Sequence, residues 1–143
     1  MQSRDGRLTF SPSDLTGYLA CPHLTQLERR VALGTLAKPA AENPEAELVK
    51  RKGEEHERAY LERLRATGRS VAEISLEPDL DWERAARETE AAIRSDTDVV
   101  YQGVLVSDDG WRGVADFLEH QPDGTYEAVD TKLARHAKPA YVL

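Results

Sequence analysis

Two turn signals late in the chain do most to restrict its fold. Asp108-Asp109-Gly110 and Gln121-Pro122-Asp123-Gly124 divide residues 99–133 into strand-length pieces: Val99 to Ser107, Trp111 to Glu119 and Thr125 to Leu133. Aspartate–glycine pairs between such pieces favour tight hairpins, so an antiparallel meander is expected. The last two pieces carry acids where a strand should be apolar. By alternation Asp116 points the same way as Val114 and Leu118, and Asp130 the same way as Tyr126, Ala128 and Lys132. An ionised carboxylate on a half-buried sheet face is costly unless it is paired or holds a cation. If residue 120 pairs with residue 126, Asp116 lies opposite Asp130. Other registers of the same parity leave both within reach of one ion.

Helices are expected upstream. Ser11-Pro12-Ser13-Asp14 has the form of a helix start, with Ser11 as cap, Pro12 in the first helical position and Asp14 closing a capping box. Pro22 opens a second helix over about residues 22–34, ended by Gly34. A long helix should run from Glu45 to Ala66, stopped by Gly68, with Val49, Gly53, His56, Tyr60 and Leu64 as its inward stripe. That stripe turns His56 inward, and Gly53 one turn earlier would clear access to the imidazole. Residues 69–76 read as a strand. Asp81 to Arg94 reads as an amphipathic helix with Trp82, Ala85, Ala86 and Ile93 inward.

The 143 residues suit one domain with a modest core. No apolar run approaches the roughly 20 residues of a membrane helix, and no secretory signal opens the chain. Cys21 is the single cysteine, which excludes an internal disulfide. A cytoplasmic protein without a membrane partner is therefore expected. The net charge of −7 argues against a general nucleic-acid coat, although catalytic acids themselves add negative charge.

Phosphodiester hydrolysis needs neutralised charge on the phosphoryl group and an acidified water. Carboxylates holding a hard divalent cation, with a lysine nearby, supply both. Gly113-x-x-Asp116 followed by Asp130-x-Lys132 places these groups on adjacent strands. Each residue also has a plainer reading. His56 alone reads as a hydrogen-bonded core histidine, Asp116 as a partner of Arg112, Asp130 and Lys132 as a surface pair, and Cys21 as a small buried apolar residue.

The ordered set Ser11 to Cys21-Pro22, Gly53-Glu54-Glu55-His56-Glu57, Gly113-Val114-Ala115-Asp116 and Asp130-Thr131-Lys132 resembles the motifs of RecB-like nucleases of the PD-(D/E)xK superfamily. That superfamily includes the CRISPR-associated iron–sulfur exonucleases. The resemblance spans residue 8 to the end. It implies an α/β, restriction-endonuclease-like core, with a mixed central sheet containing the antiparallel meander, flanked by helices. Residues 1–143 would form a single nuclease domain, with an N-terminal helical segment over 8–34 and a metal-site core over 45–143.

The implied function is metal-dependent cleavage of DNA. His56, Asp116, Asp130 and the Thr131 carbonyl would hold Mg²⁺ or Mn²⁺, and Lys132 would stand beside the attacking water. An imidazole ligand tilts the metal toward Mn²⁺. Cys21 matches the first of four cluster-binding cysteines in the iron–sulfur members; the other three are missing here, so this chain alone cannot complete a cluster. DNA, and a helicase-type region or subunit, are the implied partners. The family continues past the lysine with a further helix, so the sequence is expected to be the N-terminal portion of a nuclease. The alternative is a catalytically inactive truncated module that binds DNA or a partner.

Overall fold

A computed structural model describes residues 1–4, 6–39, 44–77 and 79–131. Its first half holds strands β1 (Gln2–Arg4) and β2 (Arg7–Thr9), then helices α1 (Pro12–Ala20), α2 (Pro22–Ala32) and α3 (Pro44–Ala66). The second half holds β3 (Val71–Glu73), α4 (Trp82–Arg94), β4 (Val99–Val106), β5 (Arg112–His120) and β6 (Tyr126–Val129). The chain is thus mixed α/β. Its main sheet has the order β3-β4-β5-β6, with β3 parallel to β4 and the other pairs antiparallel.

The meander forms where the turn residues require it. Gly110 (φ 93°) and Gly124 (φ 84°) adopt the left-handed backbone that lets the strands reverse tightly. Asp123 accepts the Thr125 N–H at 3.0 Å, which fixes the second turn. That turn sets the register: His120 faces Tyr126 and Phe117 faces Val129. Extending the register by one pair puts Asp116 opposite Asp130.

Both sheet faces are covered. Val99, Tyr101 and Phe117 pack with Leu61 and Leu64 of α3, with Tyr60, Val71 and Val129 at the margin. Val100, Val104 and Leu118 pack on the other side with Ala85 of α4 and with Ile74. Phe117 is wholly buried, and such burial contributes about 1.5–3 kcal/mol. Thr89 on α4 is also buried; its hydroxyl donates to Ala85 O at 3.0 Å and accepts from Val104 N–H at 2.9 Å. A polar residue within an apolar stripe gives no sequence sign of this internal satisfaction. Gly103 leaves room for the Leu118 side chain of β5, since a Cβ there would stand 2.7 Å from Leu118 Cδ1.

Several expectations shift in detail. On α3 the buried face runs through Tyr60, Leu61 and Leu64, whereas Val49 is 63% exposed. Glu57 falls near the middle of this face and His56 about a quarter turn away. His56 is half-buried. A Cβ on Gly53 would meet nothing within 4 Å, so this glycine does not relieve crowding around the imidazole. Cys21 is exposed rather than buried. The strand expected over 69–76 is confined to Val71–Glu73.

The β1–β2 hairpin was not expected, although Asp5-Gly6 carries its turn signal. Phe10 continues from it and bridges to Trp111: Phe10 N–H donates to Gly110 O and Arg112 N–H to Phe10 O, both at 2.9 Å. This tie brings the start of α1 beside the edge of the meander.

Candidate functional site

Where α1 begins next to β5, the structure leaves a cleft of about 430 Å³. Its lining includes Ser11, Asp14, Trp82, Arg112, Ala115, Asp116, Ala128 and Asp130. The two acids marked by the sequence therefore share one cavity. Asp116 is half-buried, while Asp130, just past the end of β6, is exposed.

The Asp116 carboxylate accepts the Thr131 N–H at 3.0 Å and the Thr131 hydroxyl at 3.4 Å. Its pKa is raised to about 6, chiefly by burial; the Thr131 amide pulls it down, and the proximity of Asp130 and the charge of Glu57 add to the rise. Like charges set this close favour the binding of a proton or of a cation between them.

Glu57 enters from α3. It accepts the Gln102 Nε2–H at 3.3 Å. The Tyr101 hydroxyl is pushed up to about 12, first by burial and then by its hydrogen bond to Glu57 and that residue's charge. The sequence marks His56 as the contribution of this helix, yet it is the neighbouring Glu57 whose charge reaches Asp116. The rotation of the helix decides this: Leu61 fixes the inward face and lies outside the stripe that runs through His56. Among the described residues, no three His, Cys, Asp or Glu side chains lie close enough to enclose a metal ion. His56, Asp116 and Asp130 are therefore not brought together as a three-ligand cage. Thr131 contributes its amide and hydroxyl to Asp116, and Lys132 lies outside the described residues.

At the far side of the cleft, the Arg112 guanidinium lies 4.6 Å over the Trp82 ring and donates to Gln2 Oε1. Asp14 is buried as well, but its carboxylate accepts the Ser11 N–H at 2.7 Å, the Ser11 hydroxyl at 2.9 Å and the Met1 ammonium. Burial raises the pKa of Asp14, and these donors outweigh it, leaving the carboxyl below its usual range.

The chain was compared with protein-family models, curated proteins and solved structures, and no match was found. No helix among the described residues is long and apolar enough to cross a membrane.

Proposed function

We propose that this protein is a metal-dependent DNA nuclease of RecB-like type, built on a restriction-endonuclease-like core. The carrying observation is the Asp116–Asp130 pair: two carboxylates, one on β5 and one just past β6, that line one open cleft and raise the pKa of Asp116 by their proximity. The donor set fits a hard divalent ion, because carboxylate oxygens prefer Mg²⁺ or Mn²⁺ and such ions keep part of their water shell. When bound, the ion would neutralise phosphoryl charge and acidify a water.

The residues of the chain do the rest. Asp116 and Asp130 would hold the ion through their carboxylate oxygens, while the Thr131 N–H keeps the Asp116 carboxylate oriented. By the resemblance, His56 and the Thr131 carbonyl would be further ligands, and Lys132 would assist the attacking water. DNA is the proposed substrate, and a helicase-type region or subunit the proposed partner.

A Mn²⁺-dependent assay on single-stranded and duplex DNA tests this. Cleavage by the wild type should vanish in Asp116→Ala and Lys132→Ala; cleavage that survives either change removes the site assignment. Mn²⁺ affinity tests the α3 ligand separately: a His56→Ala variant that binds as tightly as wild type makes His56 a structural residue. A second reading, a non-catalytic module that binds DNA or a partner, draws on the exposed apolar side chains of α1. Leu15, Tyr18 and Leu19 leave about half or more of their surface to solvent. Retained DNA binding without cleavage by the wild type would favour that reading.

A further inference from the structure

Gln102 has φ 55° in the interior of β4, a left-handed backbone that long side chains rarely adopt within a strand. Its effect is visible in the side chains around it. Val100 belongs to the cluster on the α4 side, and a Cβ on Gly103 would also face that side, toward Leu118 and Thr89. The two residues between them both reach α3: Tyr101 packs with Leu61 and Leu64, and Gln102 donates to Glu57. A regular strand cannot turn consecutive side chains to one layer. The left-handed residue makes this possible.

The irregularity lies directly across from the acid pair. Tyr101 faces Phe117 and Gly103 faces Ala115, while the intervening pair, Gln102 and Asp116, drops out of the ladder. A strained backbone at such a place persists only where its surroundings hold it. Here Gln102 spends its side-chain amide on an acid from another layer.

We propose that Gln102 is a positioning residue of the site: its left-handed backbone turns the amide onto the α3 layer, where it holds the Glu57 carboxylate toward the Asp116–Asp130 pair. Held there, the Glu57 carboxylate would add its negative charge to the attraction of a cation at the pair. The proposal rests on the metal-site reading above, but its central contact exists without metal.

The test uses the full chain with Mn²⁺ as probe and the variants Gln102→Gly, Gln102→Asn, Glu57→Gln and the Gln102→Gly/Glu57→Gln double change. Glycine and asparagine accept the left-handed backbone, so both single variants should fold. Neither carries an amide long enough to reach Glu57. The unfolding midpoint of Gln102→Gly should match or exceed that of wild type, while calorimetric Mn²⁺ affinity falls about ten-fold, the scale seen when a partner of a metal ligand is lost. The double variant should bind no more weakly than Glu57→Gln alone. Affinity within about two-fold of wild type in Gln102→Gly, or additive losses in the double variant, overturns the proposal.

A metal-free measurement separates this outcome from failure of the metal reading. The side-chain NH₂ resonances of Gln102 should shift on Glu57→Gln. If wild type binds no Mn²⁺ and these resonances shift, the metal site fails and the positioning contact stands. If they do not shift, the contact itself is refuted.

Discussion

Asp14 and Asp116 line the same cleft in opposite circumstances. Asp14 is the more buried, yet donors from Ser11 and the Met1 ammonium surround it and favour its ionised form. Asp116 is only half-buried. It has the Thr131 amide on its side and faces two other acids, Asp130 and Glu57. Burial alone therefore does not mark a reactive carboxylate; the balance of donors and like charges does. One acid holds the start of a helix in place, and the other sits among like charges that favour a proton or a cation.

The largest test of this contrast is chemical. Asp116→Asn should lower Mn²⁺-dependent DNA cleavage by about a hundred-fold or more, at or beyond the upper end of the losses seen when a partner of a metal ligand is removed. Asp14→Ala should leave Mn²⁺ affinity unchanged by calorimetry. It should instead destabilise the fold by about 1–2 kcal/mol through loss of the capping box, read as a Tm fall of roughly 2–8 °C. Equal effects of the two changes on metal affinity would erase the distinction between them.

Smaller effects appear in the pH dependence. The folded-state pKa of Asp116 is raised from 3.8 to about 6, so between these values the native chain binds more protons than the unfolded chain. Its contribution to metal-free stability is therefore full below about pH 4 and declines as pH rises toward 6. Because Asp116 is half-exposed, solvent screening reduces this to on the order of 1 kcal/mol. Asp116→Asn should stabilise the metal-free protein at pH 7 by that amount. Asp14 has the opposite slope: its depressed pKa contributes stability above 3.8 that is lost as pH falls through the folded value. Chemical denaturation from pH 3 to pH 7 would resolve both. Mn²⁺ affinity should fall below pH 6, approaching about ten-fold per pH unit if each ion displaces one proton.

The parts of the fold legible in the sequence are those governed by local rules. Ser11, Pro12 and Asp14 start α1 because their side chains and the fixed φ of proline act within one turn. The 120–126 pairing, and with it the opposition of Asp116 and Asp130, follows from a turn whose glycine and aspartate admit few geometries. Other features were hidden because they depend on partners distant in sequence. His56 and Glu57 are adjacent, so a modest error in the angle of the apolar stripe exchanges them. Leu61 settles the matter only once it meets Val99 and Phe117. Nothing in the residues flanking Gln102 announces a left-handed backbone, and the partner its side chain reaches, Glu57, lies 45 residues earlier.

The meander, the main helices and the strand position of Asp116 were legible in the residues alone, because turn chemistry and side-chain periodicity operate over a few residues, whereas Asp130 falls just past its expected strand. How each carboxylate is served depends on long-range packing. The N-terminal hairpin sets Asp14 among donors, while β6 and α3 bring Asp130 and Glu57 toward Asp116. Those environments arise from long-range packing, and electrostatic character follows from what packing places nearby.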